Sequence, residues 1–185
     1  MSTPKVLLIT GPPGSGKTTL IRGVVQALGV AAGGFYTQEV RTGFRIVTLD
    51  GREDLLAGVG VGGPYRVGRY GVNLAGIDCT AVPALERAIA AAKLIVVDEI
   101  GRMELYSERF REAVLAALAS GKPLLGTIML AAHPWAVALK RRPDVRLLHL
   151  SVANREEVQR ELVAALRRLL GSKRRHFCPF AAPLV

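Results

Sequence analysis

The chain has 185 residues, half of them apolar and 5% aromatic, with 25 Lys and Arg against 15 Asp and Glu for a formal net charge of +10. That length suits one domain with a continuous core of Ala, Val, Leu and Ile. The two cysteines, Cys79 and Cys178, lie far apart with no Cys or His at ligand spacing beside them, which argues against a disulfide framework or a zinc site.

In chain order, Val6–Thr10 is an unbroken apolar run that ends in a Gly/Pro cluster, the signature of a strand buried on both faces. The run is too short for a signal segment or a membrane span, so we expect a cytoplasmic protein without a membrane partner. A helix is predicted over Lys17–Leu28, stopped by Gly29. Phe35–Val40, Phe44–Leu49 and Arg66–Asn73 read as partly antiparallel strands, with Asp50-Gly51 as a hairpin turn. Four glycines and a proline mark Ala57–Pro64 as a loop. Thr80–Ala92, Ser107–Ala119 and His133–Arg141 read as helices, and Leu94–Asp98, Leu124–Ile128 and Val145–Leu150 as buried strands. Asn154 is placed to cap a last helix running to Leu170. Strands alternating with helices predict an α/β fold: a mostly parallel sheet covered on both faces, with an inserted β-hairpin region. The domain is expected to span residues 1–171, followed by a basic, then apolar, tail over 172–185.

Gly11-Pro12-Pro13-Gly14-Ser15-Gly16-Lys17-Thr18 matches G-x-x-x-x-G-K-[ST] and stands between a buried strand and a helix, where a phosphate-binding loop belongs. A triphosphate carries several negative charges, and backbone N–H groups at a glycine-rich turn and helix N-terminus surround them without side-chain bulk. Lys17 adds a cation for the β- and γ-phosphates, the Thr18 hydroxyl is a ligand for Mg²⁺, and Thr19 continues the nucleotide-binding stretch. Asp98 ends the strand Leu94-Ile95-Val96-Val97, where a carboxylate reaches the metal. Glu99 follows directly and is the candidate base that orients and deprotonates an attacking water.

Val97-Asp98-Glu99-Ile100-Gly101-Arg102-Met103-Glu104-Leu105, taken with the phosphate loop, resembles the THEP1 nucleoside-triphosphatase family. Gly34–Arg41, Val67-Gly68-Arg69-Tyr70 and Gly126-Thr127-Ile128 agree with it, so the similarity spans most of the chain from Val6 to the helix after Asn154. The resemblance implies a RecA-like P-loop sheet with an additional strand, a catalytic Glu, and slow hydrolysis of several nucleoside triphosphates. It also implies a sensor-like position for Thr127 near the γ-phosphate. Two features depart from the family: the turn between Arg41 and Phe44 is short and lacks a further arginine, and the apolar tail after Lys173 has no counterpart.

Charge developing on the γ-phosphoryl group calls for a further cation. The candidates are Arg41, Arg69, Arg102 and the pair Arg141-Arg142. Arg69 is favoured for its family-like strand and Arg102 for its place just after Glu99. Arg155, after the last strand, is a candidate to stack on the base through its planar guanidinium. The three histidines lack ligand spacing and read as structural.

Two other functions use the same loop. A nucleoside or nucleotide kinase would deliver the phosphate to a second substrate instead of water. A nucleotide-gated nucleic-acid-binding module would draw on the net charge and on Lys173-Arg174-Arg175. Nucleic acid is not favoured as a partner, because binding needs the cations gathered on one face.

Overall fold

A computed structural model describes residues 4–171. The tail expected over 172–185, with Cys178, His176 and the basic cluster at 173–175, lies outside the described residues. Nine strands form one sheet in the order β5-β6-β4-β3-β2-β7-β8-β1-β9. Its parallel part contains β2 (Ala32–Val40), β7 (Leu94–Ile100), β8 (Leu124–Ile128), β1 (Val6–Thr10) and β9 (Val145–His149). β3 (Gly43–Thr48), β4 (Glu53–Gly58), β6 (Tyr70–Val72) and β5 (Arg66–Val67) extend the β2 edge antiparallel. The inserted β region therefore continues the main sheet.

Strand side chains alternate between two cores, as a period of two requires. Val6 and Leu8 of β1 and Ile95 and Val97 of β7 face one core, which α3 (Val82–Ala91), α4 (Glu108–Ala119) and α5 (Pro134–Lys140) cover. Leu7 and Ile9, with Leu94 and Val96, face the other, which α1 (Lys17–Leu28) and α6 (Arg155–Leu169) close with Leu20, Ile21, Val24, Val158, Leu162 and Leu166. Both faces of the central strands are dry, which is why they read as continuous apolar runs. Among the described residues, no helix is long and apolar enough to cross a membrane.

The differences from the sequence reading lie mainly in the inserted region. β2 begins at Ala32, ahead of Phe35, since Gly33 and Gly34 pair with Ile95 and Val96 of β7 without any side-chain signal of their own. Ala57 and Gly58, read as loop, complete β4, whose charged start at Glu53-Asp54 hid it; pairing with β3 holds it in the sheet. Arg66–Asn73 is two short strands folded back at Gly68, φ +57°, instead of one. The helix read from Thr80 has helical turns before it, α2 (Leu74–Gly76) and a wider turn at Ile77–Ala81. Asn154 precedes α6 but its side chain does not cap the helix. Its Oδ1 accepts from the Ser151 N–H at 2.8 Å and its Nδ2 donates to the His149 carbonyl at 2.9 Å, closing the loop after β9.

Candidate functional site

β1, β8 and β7 lie side by side and parallel, so their C-terminal ends open on one edge of the sheet, the place where open α/β sheets bind ligands. The phosphate loop leaves β1 there and turns into α1. Its glycines are demanded by geometry. A Cβ on Gly11 would stand 2.4 Å from the Leu150 carbonyl oxygen, and one on Gly16, whose φ is +87°, would stand 2.7 Å from the Arg155 guanidinium. Lys17 bends over the loop, its Nζ donating to the carbonyls of Gly11 at 3.1 Å and Pro12 at 3.2 Å.

Asp98 is 1% exposed beside this loop. Burial pushes its carboxyl above the ordinary range, opposed by the hydroxyls of Thr127 and Thr18 and by the Lys17 charge. Thr127, buried on β8, donates to Asp98 Oδ1, whereas Oδ2 is buried without a partner among the described residues. A buried carboxylate oxygen left free next to a threonine hydroxyl fits a Mg²⁺ site, because Mg²⁺ takes one or two protein oxygens and fills its octahedron with phosphate and water. Thr18 and Asp98 are the residues that would hold it. Among the described residues no three His, Cys, Asp or Glu side chains gather to form a cage of their own.

Glu99 lines a cleft of about 650 Å³ together with Gly11, Pro13, Gly14, Gly16, Lys17, Thr18 and Thr19. Burial raises its carboxyl, the Lys17 charge opposes this, and the neighbouring Asp98 adds to it. The cleft continues between Thr37 and Glu39 of β2, Phe44 of β3 and Met129–Ala131 after β8. The sequence reading did not single out these walls, since each comes from a strand far away in the chain. The sole hint was the family-like stretch Gly34–Arg41.

The arginines are placed elsewhere. Arg69 lies over the Tyr70 ring, 5.1 Å from its centroid, and donates to the Tyr70 hydroxyl at 2.9 Å. Neither Arg69 nor Arg102 lines the cleft. Arg142 forks onto Asp144 at 2.9 and 2.8 Å. Arg155 sits behind the phosphate loop, where its Nη2 donates to the Ser15 carbonyl at 2.9 Å and its plane packs against Gly16. In this position it braces the loop. Among the described residues, Ser15 Oγ and Arg155 Nε are both buried without partners.

A further acid belongs to the site. Glu104, 4% exposed, follows β7 in the short helical turn Glu104–Tyr106. Burial, with the Glu99 and Asp98 charges nearby, pushes its carboxyl up to about 8, opposed by the backbone of Glu104 and Gly101. The sequence had shown it only as part of the family-like stretch.

The NTPase family model matches residues 6–163, most of the chain. The chain belongs to this NTPase family. It is 44% identical over 172 residues to the nucleoside-triphosphatase THEP1 of Thermotoga maritima, covering 90% of this chain and 98% of that one. The THEP1 of Pyrococcus abyssi is 42% identical over 172 residues, with 88% and 93% covered. The crystal structure of THEP1 from Aquifex aeolicus superposes with a TM-score of 0.82 at 38% identity, covering 88% of this chain and 99% of that one. The solution structure of a human cancer-related nucleoside triphosphatase gives 0.77 at 36% identity, with 88% and 97% covered. The expected P-loop α/β fold thus agrees with solved members of the NTPase family. β8 standing between β1 and β7 is the additional strand that the resemblance implied.

Proposed function

We propose that the protein is a Mg²⁺-dependent nucleoside-triphosphatase that hydrolyses ATP, GTP and other nucleoside triphosphates to the diphosphate and inorganic phosphate. The observation that carries this reading is the convergence on one cleft of Lys17, Thr18 and Glu99, with Asp98 buried behind them and one of its oxygens free. The loop amides and the Lys17 ammonium hold the phosphate chain, which all nucleoside triphosphates share, so binding rests little on the base. Thr18 and Asp98 would hold Mg²⁺, which would supply charge neutralisation at the phosphate oxygens. Glu99 accepts a proton from water as the water oxygen bonds to the γ-phosphorus. The bond from that phosphorus to the bridging oxygen breaks, and the electron pair leaves with the diphosphate. Lys17 balances the charge that grows on the leaving group.

The test is a steady-state panel of ATP, GTP, CTP and UTP with phosphate release as the readout, run with Mg²⁺ and with excess chelator. Turnover is expected with all four and is expected to vanish with chelator. Glu99→Gln is expected to keep nucleotide affinity and to lower kcat roughly 100-fold or more, the scale of a lost general base. Undiminished turnover in that variant would remove Glu99 from the reaction.

A further inference from the structure

We propose that Glu104 is a positioning residue for hydrolysis, acting through Glu99 by holding the turn after β7 that aims the Glu99 carboxylate into the cleft. The inference rests on the reading of Glu99 as the group that receives the water proton.

The geometry centres on Gly101, which lies between the two acids. A Cβ built there would stand 2.8 Å from Glu104 Oε2 and 3.5 and 3.6 Å from Cγ and Cδ of Glu99. The space that a side chain at 101 would fill is thus taken from one side by the Glu104 carboxyl and bounded on the other by the Glu99 side chain. The Glu104 carboxyl is thus seated against Gly101, two residues after Glu99, on the chain segment that carries Glu99. The turn closes further through the Leu105 N–H to the Gly101 carbonyl at 3.1 Å and the Ser107 N–H to the Glu104 carbonyl at 3.0 Å. Glu99 faces the cleft while Glu104 is buried behind it, so Glu104 touches the reaction only through its neighbour.

Energetics point the same way. A buried carboxyl beside two other acids is costly, and an apolar side chain of equal volume would fill the space more cheaply. What the carboxyl offers instead is a polar group lying against Gly101, whose backbone favours its charged form, and so an orientation for the turn. Misplacement of a catalytic group by about 1 Å costs up to about 100-fold in rate, so a loosened turn is read in kcat and leaves phosphate binding alone.

The test compares wild type, E104Q, E104A, E99Q and E99Q/E104A, following phosphate release from MgATP and measuring affinity for a non-hydrolysable ATP analogue by calorimetry. E104Q, which preserves the shape and hydrogen bonding of the neutral acid, is expected to retain kcat within about threefold. E104A is expected to lose at least tenfold in kcat with KM and analogue affinity unchanged. In the E99Q background E104A is expected to change nothing, because its effect passes through the missing carboxylate. Wild-type kcat in E104A overturns the inference, as does an equal loss in the E99Q background. If E104A does not fold, G101A replaces it: its Cβ must displace the Glu104 carboxyl, and an unchanged kcat there overturns the inference in the same way. Wild-type turnover in E99Q overturns both this inference and the proposed function, whereas an impaired E99Q beside an undamaged E104A overturns this inference alone.

Discussion

At the scale of single residues, the site depends on acids held where water is scarce. Asp98, Glu99 and Glu104 all have carboxyls pushed upward, with burial the first cause in each case. For Glu104 the sign follows directly. Its ordinary value is 4.5 and its folded value about 8, so between these the folded protein keeps a proton that the unfolded chain has released. Its contribution to stability is fully present below about pH 4.5 and is lost as pH rises toward about 8, with Asp98 and Glu99 acting in the same direction. Urea unfolding of the ligand-free protein should therefore show stability falling across this window. E104Q should flatten the fall by an amount bounded at about 5 kcal/mol. An identical slope in the variant would mean that Glu104 does not hold its proton. Arg155 shows how far a residue's chemistry can be read without its surroundings. Its planar guanidinium was legible as a stacking group, but the partner it meets is the backbone of the phosphate loop.

At the scale of elements, the central strands and helices follow from local pattern. α4 is one example: Ser107 accepts from the Phe110 N–H at 3.0 Å and its own hydroxyl donates to Asp78, joining the helix start to the turn before α3. Ser107→Ala removes the cap and leaves Asp78 without this partner. The variant should be about 1 to 2 kcal/mol less stable in urea unfolding, with the m-value unchanged. A loss smaller than a few tenths would show that the cap carries little. β4 is the contrary case, since its charged residues gave no alternating apolar pattern and its place is set by pairing with β3 and β6. β2 and β3 bring Thr37, Glu39 and Phe44 to the cleft.

At the scale of the whole molecule, the cleft draws its walls from the phosphate loop after β1, α1, β2, β3, β7 and the segment after β8, so a ligand seated there joins both halves of the sheet. Binding to the folded state alone stabilises by about 2.7 kcal/mol at a ligand concentration of 100 times Kd. For a chain of this size that corresponds to a rise in Tm of roughly 5 to 10 °C. Differential scanning with Mg²⁺ and a non-hydrolysable ATP analogue should show it. Thr18→Ala should lose most of the Mg²⁺-dependent part, and an equal shift in that variant would place the metal elsewhere.

The sequence alone determined the phosphate loop, the strand that carries Asp98 and Glu99, and the parallel α/β core, because each is written in neighbouring residues. A loop with fixed glycine spacing, an apolar run ending in acids and a 3.6-residue helical period are all short-range patterns, and covalent continuity preserves them. Only the tertiary structure decided what surrounds these groups: Thr127 on Asp98, Arg155 behind the loop, Glu104 behind Glu99, and the distant walls of the cleft. Apart from Glu104 behind Glu99, these contacts join residues far apart in the chain. They exist only once the strands have chosen their order, and that choice follows from burying both faces of the sheet together, which no local spacing encodes.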